Sequence, residues 1–135
     1  RGVSHYLVAA ALSFEGGIAV RNGCFCAHPY ILRLLKVGGD EALRHQQDII
    51  EGSRVGLPGL ERLSFGCSTT SAEEDHAKDL QAPIAAGELE GASEQNPVSG
   101  ECWPKGYEPA YDRYFVLQPG MAIHREKPAV PRCGV

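Results

Sequence analysis

Residues 17–29 read Gly-Ile-Ala-Val-Arg-Asn-Gly-Cys-Phe-Cys-Ala-His-Pro and combine several structural signals in a short space. The apolar triplet Ile18–Val20 is typical of a short buried strand. Arg21–Gly23 predicts a turn, because Asn-Gly pairs readily adopt turn conformations. Cys24–His28 predicts a loop, and Pro29 is typical of the first residue of a helix. The stretch therefore predicts a strand, a turn, a loop rich in reactive side chains, and a helix.

Further helices are predicted on both sides of this stretch. Ser4 is a suitable N-cap for a helix over residues His5–Phe14. Apolar residues follow Pro29 at helical spacing. Asp40 is a suitable cap for a third helix, which would end before Gly52.

The clearest strand signal lies at Leu60–Cys67, where apolar and polar residues alternate. Alternation places successive side chains on opposite faces of a strand. Leu63, Phe65 and Cys67 would share an apolar face, and Arg62 would lie on the polar face. This segment is expected to join Ile18–Val20 in a small sheet.

These elements predict an α+β fold, a small sheet covered by helices, over residues 1–90. Ser71 followed by Glu74 fits a capping box for the last helix, which Pro83 would break or kink. Residues 91–135 are richer in Gly, Pro, Ser and Asn, and we expect an irregular C-terminal extension that frays after Pro119. The extension would be held down by its aromatic side chains, Trp103, Tyr107, Tyr111, Tyr114 and Phe115.

Composition and charge argue against several classes of partner. The formal net charge is −4, whereas proteins that bind nucleic acid or anionic membranes carry a basic surface. The longest apolar run, Tyr6–Leu12, is too short to span a bilayer. Five cysteines without a secretory signal predict reduced thiols in a cytoplasmic protein. Because the sequence begins with Arg1, we expect a piece of a longer protein.

The loop that follows Arg21 concentrates the reactive side chains, namely Cys24, Cys26 and His28. A thiol there could act as a nucleophile, because nearby positive charge favours the thiolate. Alternatively, both cysteines are small buried residues and His28 caps the next helix. These three residues, with Cys67, could also ligate a metal. However, Cys-x-Cys-x-His is not the usual spacing of zinc ligands, and no metal site is predicted.

Arg62 is the candidate for substrate binding outside the loop. A guanidinium can hold a carboxylate through two parallel hydrogen bonds. The alternative is a solvent-exposed charge on the strand. We predict that Arg62 and Arg21 project to the same side as the cysteine loop and form a partly open concavity. We also predict that Cys26 is the reactive thiol, because it lies nearer than Cys24 to the start of a helix.

Two motifs resemble those of a known enzyme family. The first is Gly-Ile-Ala-Val-Arg-Asn-Gly-x-x-Cys-Ala-x-Pro at residues 17–29. It resembles the active-site cysteine segment of cysteine desulfurases, which are class V aminotransferase-like enzymes of fold type I that depend on pyridoxal 5'-phosphate (PLP). The second, Arg-Leu-Ser-Phe-Gly at residues 62–66, resembles the Arg-x-Ser strand of that family. The likeness is to a desulfurase-like branch related to molybdenum-cofactor sulfurases. Residues 100–115 also resemble the C-terminal extension of that branch.

The resemblance implies a role for several residues. Cys26 matches the cysteine that takes sulfur from PLP-bound cysteine as a persulfide, with release of alanine. Arg62 matches the arginine that binds the substrate carboxylate, and Arg21 matches an arginine that helps to position the substrate. His28 and Cys24 are possible accessory residues, although Cys24 has no role in the family. The resemblance further implies an amino-acid substrate, a homodimer of the full-length protein and a sulfur-acceptor protein.

Departures from the family pattern bear on activity. Residues 68–70 are Ser-Thr-Thr, where the family has Tyr-Asn-Thr. The family's Schiff-base lysine follows a His upstream of the cysteine, whereas every lysine here lies downstream of Cys26 and none follows a His. The chain would therefore be the C-terminal small domain of a longer enzyme, inactive alone, with PLP bound by the missing large domain. The alternatives are another PLP chemistry (aminotransferase, epimerase or carbon–sulfur lyase) and a non-catalytic thiol or metal-binding module.

Overall fold

The computed structural model describes residues 2–108, which form a small α+β domain with four helices and two small antiparallel sheets. None of the helices in this range is long and apolar enough to cross a membrane. The elements in chain order are α1 His5–Phe14, β1 Arg21–Gly23, α2 His28–Leu34, α3 Gly39–Ile50, β2 Leu60–Arg62, α4 Ser71–Ala86, β3 Ser93–Gln95 and β4 Cys102–Pro104.

Helix α1 lies at the centre of the described part and contacts β1, β2, α4 and β4. Its predicted bounds and cap are confirmed, and the Ser4 hydroxyl accepts a hydrogen bond from the Tyr6 backbone N–H at 3.3 Å. Two buried clusters form around it. One is centred on Leu7 and Cys102, and the other on Leu12 and Ile84. Burying one stripe of α1 against both sheets and α4 therefore produces most of the core.

Strand β1 pairs antiparallel with β2, and Arg21 is the direct partner of Arg62. The predicted strand at Ile18–Val20 is wrong, because the ladder comprises Arg21–Gly23, the segment predicted as a turn. The predicted strand at Leu60–Cys67 is shortened to Leu60–Arg62. Beyond Arg62 the chain has no ladder partner, because the antiparallel register would place Leu63 opposite Val20, and β1 begins only at Arg21.

The helix predicted to begin at Pro29 and to end before Gly38 is observed as α2, which begins one residue earlier and ends at Leu34. The other two predicted helices are observed with different caps. Gly38, rather than Asp40, is the N-cap of α3, and Asp40 lies in its first turn. The capping box of α4 joins Thr70 and Glu73, one residue before the predicted pair. Pro83 does not break α4, which continues to Ala86.

Strands β3 and β4 form a hairpin within residues 91–108, where the sequence predicted irregular chain. Trp103 stacks on Tyr107 with 5.6 Å between ring centroids, and both rings contact Phe14 of α1. Packing of this segment through its aromatic side chains is thus confirmed for these two residues. The predictions for Tyr111, Tyr114, Phe115 and the chain after Pro119 lie outside the described residues.

Candidate active site

The cysteine loop is a tight turn held in an unusual backbone conformation. The backbone N–H of Ala27 donates to the Cys24 carbonyl at 2.7 Å and closes the turn. Phe25 and Cys26 have φ angles of 52° and 62°. Two successive positive φ angles are typical of type I′ turns, which favour Asn and Gly. Non-glycine residues in this region cost about 1–3 kcal/mol each and are concentrated at functional sites.

The turn gives its two thiols different environments. Cys26 is exposed and has a left-handed backbone conformation. Cys24 is half-buried, and its thiol donates a hydrogen bond to the Pro58 carbonyl at 3.3 Å. Burial raises the pKa of the Cys24 thiol, which disfavours the thiolate. The accessible nucleophile candidate in this turn is therefore Cys26.

Two arginines lie beside the turn on one face of the β1–β2 ladder. Arg21 and Arg62 are directly opposite each other in register, so their side chains leave the same face. The Arg62 guanidinium lies over the Phe25 ring, 5.6 Å from its centroid. A cation–π contact at an exposed position contributes about 0.5–1 kcal/mol. Both arginines are exposed, and no ion pair within residues 2–108 includes either of them.

This placement agrees with the prediction that both arginines lie on the side of the cysteine turn. The predicted concavity does not coincide with either of two cavities in the described part. Cavities of about 390 Å³ and 280 Å³ occur in the described part, and none of Cys26, Arg21 and Arg62 lines either of them. Cys26, Arg21 and Arg62 are all exposed, so another part of a protein would have to cover them before water is excluded.

His28 and Cys67 do not complete a metal site in the described residues. His28 is exposed at the first position of α2, and the N-cap is Ala27, so the reading of His28 as a helix cap is wrong. Cys67 is exposed in the chain after β2. Within residues 2–108, no group of three His, Cys, Asp or Glu side chains could hold a metal ion.

The described residues do not fit PLP. A PLP enzyme needs a lysine for the Schiff base, and the described lysines are Lys36, Lys78 and Lys105. Lys78 pairs with Asp75 at 3.0 Å, and none of the three follows a His, as the family's lysine does. The surface beside Cys26 therefore offers a thiol and two guanidinium groups, but no anchor for the cofactor.

Sequence reasoning missed two residues that the structure makes prominent. Phe25 holds the Arg62 guanidinium, and nothing in a single sequence predicts that contact. Glu61 is half-buried, although a signal for it exists. In the alternating segment, Glu61 has the same parity as Leu63 and Phe65, so the pattern places a carboxylate on the apolar face of the strand.

Comparisons with known proteins do not extend these observations. No family model, no curated protein and no solved structure matches the chain. The geometry of the cysteine turn and the two sequence motifs are therefore the features that bear on function.

Proposed function

We propose that this chain supplies the sulfur-accepting cysteine and the carboxylate-binding arginine of a PLP-dependent cysteine desulfurase-like enzyme. The observation that carries the proposal is the pairing of an exposed Cys26 in a strained turn with Arg62 held against the same turn. In this proposal PLP is bound outside residues 2–108, because the described residues do not fit it. The fold type I assignment, the homodimer, the sulfur-acceptor protein and the cytoplasmic location belong to the same proposal.

Each residue of the site has one task in the proposed reaction. Arg62, and Arg21 opposite it, bind the carboxylate of the amino-acid substrate through charge-assisted hydrogen bonds. The Cys26 thiolate attacks the sulfur of the substrate cysteine. The new sulfur–sulfur bond leaves a persulfide on Cys26, and the broken carbon–sulfur bond, after protonation of the carbon, leaves alanine. Sulfur and electrons balance without an added oxidant or reductant.

The different environments of the two thiols support the choice of Cys26 over Cys24. A hydrogen-bonded, half-buried thiol with a raised pKa is a poor nucleophile at neutral pH. Alkylation with iodoacetamide, followed by peptide mass spectrometry, is expected to label Cys26 before Cys24 in the folded chain. Equal labelling in 6 M guanidinium would show that the difference arises from the fold.

The decisive experiment compares two matched variants in the full-length protein that contains this chain, supplied with PLP and L-cysteine. Cys26→Ala should abolish both alanine release and persulfide formation, whereas Cys24→Ala should retain them. An aminotransferase, epimerase or carbon–sulfur lyase would retain its activity in Cys26→Ala, because none of these reactions needs the thiol as sulfur acceptor. Retention of persulfide formation by Cys26→Ala would therefore refute the proposal.

Arg62→Lys tests the carboxylate assignment in the same protein. Lysine keeps the charge but cannot form the two parallel hydrogen bonds of a guanidinium. We expect KM for L-cysteine to rise about tenfold or more, in line with a lost charge-assisted hydrogen bond. An unchanged KM would mean that Arg62 is only an exposed charge on the strand.

A further inference from the structure

A cavity of about 390 Å³ lies between α1, α4 and β2, away from the cysteine turn. Its walls are mostly aliphatic, and Glu61 is the only titratable residue among the described residues that line it. The lining residues are Gly2, Val3, Val8, Leu12, Glu61, Leu63, Gln81, Ile84 and Ala85. Its volume is within the range of pockets that bind small molecules, about 300–1,000 Å³.

Glu61 is an unusual residue for such a wall. Its side chain is half-buried, and its Oε1 atom is covered and has no hydrogen-bond partner in the described part of the chain. Within residues 2–108, no lysine, arginine or histidine lines the cavity to compensate the carboxylate. Burying an uncompensated carboxylate is costly, whereas a pocket with one such group among apolar walls is complementary to a cation with an apolar body.

We propose that this cavity binds a small primary amine with an apolar body, whose ammonium group pairs with the Glu61 carboxylate. The aliphatic side chains of Val8, Leu12 and Ile84 would cover the apolar body. The Gln81 amide is the other polar group of the wall and can accept a second hydrogen bond from the ammonium. A neutral ligand would leave the carboxylate uncompensated, and a carboxylate ligand would be repelled.

The site is independent of the proposed desulfurase reaction. Glu61 and Arg62 are adjacent on β2, so their side chains leave opposite faces of the ladder. Burial raises the pKa of Glu61 to about 7, as expected for a carboxyl group that lacks a positive partner. A bound ammonium would supply that partner.

The experiment uses phenethylamine as the probe, with the 135-residue chain at pH 8, where Glu61 is ionised. Two analogues of similar shape, 2-phenylethanol and phenylacetate, replace the ammonium by a neutral and by a negative group. Isothermal titration calorimetry should show phenethylamine binding about tenfold tighter than 2-phenylethanol, and phenylacetate not binding. Methyl resonances of Val8 and Leu63 should shift with phenethylamine, which would locate it in the cavity.

Three variants, of which Glu88→Gln is the control, make the proposal refutable. Glu61→Gln should reduce the affinity for phenethylamine about tenfold, to the level of the alcohol, and Glu88→Gln, an exposed control, should not change it. Ala85→Leu should weaken phenethylamine and the alcohol alike by filling part of the cavity. The proposal is overturned if amine and alcohol bind equally, if Glu61→Gln keeps full affinity for the amine, or if phenylacetate binds as tightly.

Discussion

The substitution Glu61→Gln is expected to stabilise the chain above pH 7. The folded state raises the pKa of Glu61 from 4.5 to about 7, mainly because burial penalises the charged carboxylate. Between these values the folded state holds a proton that the unfolded state releases, so stability falls as pH rises through this window. Above pH 7 the loss is complete. Glutamine has nearly the same shape and does not ionise, so the variant avoids this loss.

The size of the effect follows from the shift. A difference of about 2.5 pKa units corresponds to about 3 kcal/mol at 1.36 kcal/mol per unit. Because the side chain is only half-buried, solvent screening lowers this figure, and we expect a gain of about 1–2 kcal/mol at pH 8. At pH 5 the linkage relation gives a stabilisation by Glu61→Gln of about a quarter of the value at pH 8.

Urea unfolding followed by tryptophan fluorescence measures this gain. Trp103 is the only tryptophan, and it stacks on Tyr107 in the folded chain. Glu88→Gln, which removes the same charge from an exposed position, should change the free energy of unfolding by less than about 0.5 kcal/mol. No stabilisation of Glu61→Gln at pH 8, or an equal gain at pH 5 and pH 8, would refute the reasoning.

Three further predictions concern a glycine, a helix cap and a buried histidine, and urea titrations test each of them. Gly100→Ala should cost about 2–4 kcal/mol, because its φ is +78° and a Cβ would lie 2.7 Å from the Arg54 carbonyl, whereas Gly106→Ala, with φ of +77° and open space, should cost only about 1 kcal/mol. Thr70→Ala should cost about 1 kcal/mol because it removes the cap of α4. Thr70→Ser keeps the capping hydroxyl and should retain most of the stability. Burial lowers the pKa of His5, so the free energy of unfolding should fall as pH drops below about 6.5. His5→Gln should flatten this pH dependence, and an unchanged slope in the variant would contradict the assignment to His5.

Local signals predicted the helices better than the strands. Ser4 caps α1 through a contact with its own neighbour, so the sequence around it is sufficient. A strand exists only where another strand pairs with it, and β1 offers β2 three partners. The alternation from Leu60 to Cys67 therefore predicts more strand than forms, and Phe65 is 60% exposed where a buried face was expected.

The placement of Arg21 and Arg62 beside the cysteine turn agrees with the prediction, whereas the backbone conformation of the turn was not predicted. The motif places Cys26, Arg21 and Arg62 in one region, and the register of β1 and β2 brings the two arginines opposite each other. The positive φ angles at Phe25 and Cys26 carry no signature in the sequence, because neither residue is a Gly or an Asn. Such strain is imposed by the surrounding structure, which a single sequence does not display.

The period of two residues along β2 separates the two proposed sites. Arg62 leaves the face that carries the cysteine turn, whereas Glu61 leaves the other face and lines the cavity with Leu63. A substitution at one face can therefore be used as a control for the other. Glu61→Gln should leave the rate of Cys26 alkylation unchanged, and Arg62→Lys should leave phenethylamine affinity unchanged. If a substitution at one site changed the measurement at the other, the variant would have moved β2 itself, because a shift of this strand by one residue exchanges its two faces.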